Sequence, residues 1–491
     1  DVELSKKALE QVRQFHGERS RTIEFYSTIG IHPHEAVKYL NDKLEKDITR
    51  LEDIYKSGKP KLVILYGRRR VGKTELLNEF NRKHKSLYLL ARQESVKDQL
   101  KKMSGEIAAF FNDKVLQLNP FQNYDALFTY LAKKDTPVFL DEFPFLVESY
   151  KPLPSILQEY WDKHFSKKPS FIVLCGSSMQ MMETLLGYKS PLYGRRTEQF
   201  LLEPLTFNDA CKFFSKLSKE QKIIHYAVLG GTPAYLLEFN YAKPLRENIK
   251  ENILMKNKFL YQDTLFVMQQ ELKEPAIYYS IIKSIAKGNS KLGHIINDTG
   301  LEKGKVIKYL SVLQNLHLIE RRVPITEKNM EKSRKGIYLL KDNYFKFWFR
   351  FVFGNNDYIE QDLQDKLLDE KIIPDLSSFV GKIYEEIALE WVKKQKQFEK
   401  FLFGRWWEGE NEIDIVGIDN KMKNIVIGEV KWKSLAKKEV INIFSKMKDK
   451  SSLINFKSKE KDYLFIGKEI KDKNELRRLG YKVFDINDIV N

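Results

Sequence analysis

Between Gly67 and Thr74 the chain reads Gly-Arg-Arg-Arg-Val-Gly-Lys-Thr, directly after the apolar run Lys61–Tyr66. The spacing G-x-x-x-x-G-K-[ST] dictates a strand, a tight glycine turn and a helix in immediate succession. Glycine frees the backbone to curl, so the N–H groups of Gly67, Arg68, Arg69, Arg70, Val71, Gly72, Lys73 and Thr74 point inward at a bound phosphate. Lys73 is expected to neutralise the β- and γ-phosphates, and Thr74 to set its hydroxyl on Mg²⁺. The helix that starts at Glu75 adds its positive N-terminal end. Nucleotide binding follows from this segment.

The 491 residues suffice for about three to four domains of ordinary size. An apolar share of 42% supplies their cores and excludes a disordered or fibrous chain. Apolar runs stay well short of the roughly 20 residues that cross a bilayer, and Asp1–Lys7 lacks a secretory apolar core, so no membrane association is expected. Only Cys175 and Cys211 occur, both in apolar surroundings, which reads as buried free thiols in a reducing cytoplasm. A formal net charge of +17 suits a polyanion partner, most simply DNA. A surface laced with ion pairs, as in a thermophile, accounts for the same charge.

Residues 1–35 read as an N-terminal extension and 36–205 as the nucleotide-binding core. A helix over 36–56 carries Leu40, Leu44, Ile48, Leu51 and Ile54 at three- and four-residue steps. Strands are expected at 61–66, 86–90, 137–143, 171–176 and 199–203, alternating with helices, hence an α/β fold with a doubly wound parallel sheet. The third strand closes on two carboxylates. Asp141 is expected to hold Mg²⁺ beside Thr74, and Glu142 to orient and deprotonate the attacking water. The fourth ends in Ser177-Ser178, where a hydroxyl either senses the γ-phosphate or caps a helix. Arg195 and Arg196 either stabilise transition-state charge, in cis or across the contact of a homo-oligomer, or form surface salt bridges.

Together the loop, Phe139-Leu-Asp-Glu142, Gly176-Ser-Ser178, Tyr193-Gly-Arg-Arg196 and Gly230-Gly-Thr-Pro-Ala-Tyr-Leu236 resemble the archaeal P-loop ATPases of the STAND/AAA-like class. The resemblance implies a helical lid over 206–265, in which Gly231 and Pro233 form a turn beside the nucleotide, with Pro233 in contact. The family's Phe-x-x-Arg-Glu segment before the loop is missing. His32-Pro-His-Glu35 stands in that region, so no adenine contacts carry over.

Residues 266–345 have the rhythm of a winged helix, with helices over 275–287, 291–298 and 302–316. Val306, Ile307, Leu310, Leu313 and Leu316 are expected inward, and Lys303, Lys305, Lys308 and Tyr309 outward. Arg321-Arg322 and the basic stretch 328–335 would form the wing, closed by Ile337–Leu340. Such a unit either reads DNA, third helix in the groove and wing on phosphates, or spaces protein partners. In the connecting segment 346–379 and just before it, the aromatic run Tyr344–Phe353 reads as core, because its rings face nearly all round.

Residues 380–491 change grammar to helix, three strands, helix, strand. Glu412 and Asp414 alternate on one face of a strand, and Glu429 and Lys431 on one face of the next, after a turn at Asp419-Asn420. A helix opening at Gly381 brings Glu385 toward them. Carboxylates and one lysine so arranged suit a hard divalent cation, Mg²⁺ or Mn²⁺, that activates water and clamps a scissile phosphate. Lys431 would orient the water. Asp414, Glu429 and Lys431 match the D…ExK core of the PD-(D/E)xK restriction-endonuclease fold. Gly404-Arg-Trp-Trp407 resembles the nuclease-like domain fused to such ATPases. An ATP-controlled DNA nuclease is therefore expected. The alternative is a STAND-type switch that binds DNA or protein without cutting.

Overall fold

The computed structural model describes residues 33–490 except 273, 274, 420, 422 and 457, with the side chains of 33–44 and 270 also left aside. Residues 1–32 of the extension and Asn420 thus lie outside the described residues, and the helix expected over 36–56 already begins at Pro33. Two compact units result. The first runs to Leu205 and adds Thr232–Ala234 and Val267–Lys273; the second holds Thr206–Gly231, Tyr235–Phe266 and the remainder of the chain.

In the first unit β1 (Lys61–Tyr66), β2 (Leu87–Leu90), β3 (Val138–Asp141), β4 (Phe171–Gly176) and β5 (Glu198–Leu201) form one sheet in the order β2-β3-β4-β1-β5. Every pairing is parallel. Continuous apolar runs such as Leu62–Leu65 suit strands buried on both faces. Because β4 inserts between β1 and β3, the C-terminal ends of all three lie side by side, where open α/β sheets bind ligands. The helix Lys73–Lys83 leaves the end of β1 and buries Leu76, Leu77 and Phe80. Tyr55, on the helix Pro33–Lys56, meets Phe80 edge-on at 5.5 Å.

In the second unit the helix Asn343–Phe351 is capped by Asp342 and buries the rings of the aromatic run: Tyr344, Phe345, Phe347, Trp348, Phe349 and Phe351. Their burial bears out the reading as core. Helices Pro275–Ala286, Leu292–Thr299 and Lys303–Asn315 precede an antiparallel pair, β6 (Ile319–Arg322) with β7 (Ile337–Leu340). Two expectations fail on the third helix. Ile307 is 45% exposed, because the turn of the helix places it one step past the buried Val306–Leu310–Leu313 stripe. Tyr309 turns back onto Tyr278, with ring centroids 4.6 Å apart.

A five-stranded sheet follows, β8 (Leu402–Glu408), β9 (Asn411–Asp419), β10 (Asn424–Leu435), β11 (Glu460–Ile470) and β12 (Lys482–Phe484), in the order β12-β11-β10-β9-β8. The first three are antiparallel neighbours and the last three parallel. β12, three residues long, escapes the sequence reading. The helix that carries Glu385 runs Ile373–Lys393, so Gly381 sits inside it instead of opening it. Packed apolar neighbours let a lone glycine remain helical there. Among the described residues no helix is long and apolar enough to cross a membrane.

Candidate nucleotide site and candidate metal centre

Two glycines make the loop's path. Gly72 holds φ at 105° where the helix begins. A Cβ on Gly67 would stand 2.4 Å from the Leu202 carbonyl oxygen, so only glycine passes there. The buried Lys73 Nζ donates to the carbonyls of Gly67 (2.7 Å) and Arg68 (2.9 Å), with the loop curled round its ammonium. Burial pulls its pKa down, against the carboxylates of Glu142 and Asp141, whose charges pull it up.

Thr74, on the helix, donates to Asp141 Oδ2 at 3.4 Å, and Tyr88 donates to the same oxygen from β2. Strand β3 ends at Asp141, and Glu142 turns into the left-handed region at φ 51°. That turn is costly for a residue with a Cβ, and functional sites concentrate such strain. It aims the Glu142 carboxylate at the end of β4, where Oε2 accepts from the Ser177 N–H (3.2 Å) and hydroxyl (2.8 Å). Ser178 caps the helix Met179–Leu186, and Ser177 grips Glu142. Cys175 is buried among these groups, and burial, then Asp141, pushes its thiol far up. Cys211 is only partly buried.

Lys73, Thr74, Asp141, Glu142 and Ser177 are thus brought together. Arg195 is held by Asp162 through Nε (3.3 Å) and Nη2 (3.0 Å), and Arg196 donates to the Leu186 carbonyl. Pro233 is buried in Thr232–Ala234, the stretch grouped with the first unit. Sequence reasoning missed Glu271. Its carboxylate accepts from the N–H groups of Met179 (3.2 Å) and Gln180 (3.4 Å) at a helix start. Nothing local in the sequence pairs it with a helix some ninety residues earlier.

In the second unit Asp414, on β9, accepts from the Val430 N–H of β10 at 2.9 Å. Lys431 Nζ lies 3.2 Å from Glu429 Oε1 and 3.8 Å from Asp414 Oδ2. Glu385, Glu412 and Asp414 each offer an oxygen within 4.8 Å of the others. The register of β8 against β9 slips between Gly404 and Trp406, so Asp414 and Ile415 stand opposite Arg405 alone. That bulge re-aims the strand at the acidic residues. Burial first, then the charge of Asp414, pushes Glu385 up to about 7, and the same two causes raise Glu429. Glu429 Oε2 is buried with no hydrogen-bond partner. An orphaned carboxylate oxygen beside three converging carboxylates is the donor chemistry of a hard divalent cation, so these residues fit one. Glu412 joins the group beyond the expected set, and its alternation with Asp414 was the signal for it. Arg405, Lys382 and Lys450 also pair with these acids and carry no such signal.

Residues 44–239 match the family of ATPase domains found predominantly in Archaea, and 348–443 match a family of archaeal and bacterial proteins of unknown function. An uncharacterized protein of Methanocaldococcus jannaschii, MJECL04, is 32% identical over 465 residues, covering 92% of this chain and 98% of its own. Among solved structures, the Walker-type ATPase PABY2304 of Pyrococcus abyssi covers 62% of this chain and 94% of its own at 18% identity and TM-score 0.46. The Aeropyrum pernix ORC2 protein, in its ADPNP–ADP complexes, covers 67% and 95% at 13% and 0.43.

Proposed function

Because this chain belongs to the same family as its Methanocaldococcus jannaschii relative and carries an archaeal ATPase domain, we propose that it hydrolyses ATP to control a DNA-acting, metal-dependent nuclease-like domain. The core is assigned to 36–205, the lid to 206–265, the winged helix to 266–345, a connecting segment to 346–379 and the nuclease-like domain to 380–491.

In the first site Lys73 and the loop amides bind the phosphates, and Pro233 bounds the nucleotide from the lid. Thr74 and Asp141 would hold Mg²⁺, whose chemistry when bound is to neutralise phosphate charge. Glu142, steadied by Ser177, takes a proton from the attacking water, which positioning makes reactive. Of the two arginines, Arg196 suits transition-state stabilisation. It donates to a neutral carbonyl, and its charge is felt at Tyr66, the last residue before the loop. In the second site Asp414, Glu429 and Glu385, with Glu412, would hold Mg²⁺ or Mn²⁺, which when bound supplies Lewis-acid activation. Lys431 orients the water and faces the phosphate's developing charge.

Lys431 between Asp414 and Glu429, and the oxygens of Glu385 and Glu412 within 4.8 Å of Asp414, support the nuclease reading; Glu429 stands outside that group of three. Lys303, Lys305 and Lys308, all exposed on one helix, and the basic segment 328–335 would supply contacts to phosphates. The test is nicking or linearisation of plasmid and branched DNA by the purified chain with ATP and Mn²⁺. The parent is expected to cut and Glu429→Ala not to. If the parent cuts no DNA form in any nucleotide state, the second reading, an ATP-driven switch that binds DNA or protein without cutting, takes its place. That reading draws on the cations already paired with the acidic residues.

A further inference from the structure

The acidic pocket of the second unit comes with its own counter-charges. Among the described residues Glu385, Glu412, Asp414 and Glu429 are ion-paired with Lys382, Arg405, Lys431 and Lys450. Three of these cations reach in from solvent, with side chains 63%, 42% and 34% exposed for Lys382, Lys431 and Lys450. Arg405 differs, its side chain being only 8% exposed. One guanidinium nitrogen, Nη1, lies 2.9 Å from Glu385 Oε2 and 3.6 Å from Glu412 Oε1. Those are two of the three carboxylates grouped for a cation.

Two buried polar atoms of opposite kind are left unmatched here. Arg405 Nε has a proton and no acceptor, and Glu429 Oε2 has lone pairs and no donor. Each is costly to bury alone. A phosphodiester oxygen satisfies the first, and a divalent cation the second. The backbone of Arg405 is also tied outward. Its carbonyl accepts from the Ile325 N–H (2.9 Å), and Trp407 Nε1, two residues on, donates to the Lys335 carbonyl (2.9 Å). Ile325 and Lys335 both belong to the connection between β6 and β7, and Lys335 ends the basic segment assigned to phosphate contact.

We propose that Arg405 is a resident counter-cation that keeps a divalent ion out of the Glu385–Glu412–Asp414 pocket until a DNA phosphodiester takes over its guanidinium, so that metal and DNA load together. The proposal rests on the nuclease-like reading of this pocket. A divalent ion entering a pocket already balanced charge for charge must displace a cation, and a phosphodiester drawing Arg405 away leaves Glu385 and Glu412 to the metal. The coupling is reciprocal, since each ligand strengthens binding of the other.

The test is Mn²⁺ binding to the full chain, read by electron paramagnetic resonance of free Mn²⁺. It is run with and without a short duplex whose phosphorothioate linkages resist cleavage. The parent is expected to bind Mn²⁺ roughly tenfold or more tightly with duplex than without, the scale of one close charge pair. Arg405→Gln is expected to bind without duplex as tightly as the parent does with it, and to gain less than about twofold from duplex. Arg405→Met, which keeps the aliphatic stem packed, repeats the measurement should the Gln variant not fold. A neutral variant with parental or weaker Mn²⁺ affinity overturns the proposal, as does a parent indifferent to duplex. If Mn²⁺ binds the parent, is lost in Asp414→Asn and ignores Arg405, only the gate fails. If neither the parent nor the neutral variants take up Mn²⁺ under any condition, the metal reading fails and takes the gate with it.

Discussion

In the first unit the carbonyls of Gly67 and Arg68 hold Lys73, and the left-handed φ of Gly72 starts the helix behind it. In the second unit Lys431 rests on carboxylates from two neighbouring strands, and Glu385 is seated by an arginine from a third. One site is shaped by backbone, the other by a lattice of charged side chains. A backbone cradle keeps its form when a side chain is trimmed, so a substitution there removes one function cleanly. In a charge lattice each substitution alters the balance felt by every member. The two sites should therefore answer mutation differently.

The largest effects belong to the first site. Lys73→Ala is expected to abolish nucleotide binding in a fluorescent-nucleotide titration, because the ammonium that the loop holds is the charge assigned to the β- and γ-phosphates. Glu142→Gln should bind nucleotide normally and hydrolyse ATP about 10²- to 10⁴-fold more slowly, the usual worth of a positioned base. Parental turnover in that variant would mean that Glu142 is not the base.

Asp414→Asn probes the second site. The amide oxygen can still accept from the Val430 N–H, so the unfolding midpoint should barely move. Mn²⁺ affinity and cleavage should fall together by roughly 100-fold. A variant that loses stability as much as metal would make Asp414 a structural residue.

How legible each site was follows from the same contrast. A cradle made by backbone needs glycines at fixed spacing, so Gly67–Thr74 announced itself, as did the strand-end pair Asp141-Glu142. The fold of the first unit was legible for the same reason: its strands are buried on both faces and read as uninterrupted apolar runs. Strand alternation gave Asp414, Glu429 and Lys431. It could not give Arg405 or Lys450, which join through a register slip and a distant helix in a chain with 84 lysines and arginines. Glu142's left-handed turn was equally hidden, whereas the helical step from Val306 already places Ile307 off the buried stripe.

Gly67→Ala sharpens the comparison through stability. Its new Cβ would collide with the Leu202 carbonyl, which costs about 1–3 kcal/mol as overpacking does. Thermal unfolding should show a lower midpoint even without nucleotide, whereas an unchanged midpoint would show that the loop yields and the cradle is not fixed by backbone. Smaller still is the effect of replacing Lys305 and Lys308 together. Each phosphate contact contributes about 0.9 to the slope of log affinity against log salt, so the slope for duplex should flatten by about 2. An unchanged slope takes this helix out of the DNA interface.

The smallest expected effect is at Arg195. Its guanidinium meets Asp162 through two nitrogens, with side chains 34% and 46% exposed. An ion pair so exposed is screened by water and contributes about 0–1 kcal/mol. Arg195→Ala should therefore lower the unfolding midpoint slightly and leave ATP turnover within about twofold of the parent, since its charge is already spent on a carboxylate. An arginine that stabilises phosphoryl-transfer charge is worth about 10³- to 10⁵-fold in turnover, so the two roles differ by orders of magnitude in one assay. The measurement should be made at several protein concentrations. A large loss that appears only where the parent's rate rises with concentration would mean that Arg195 leaves Asp162 to act on a second copy of the chain. The first site would then be completed by a mobile side chain, and the contrast with the charge lattice of the second would no longer hold.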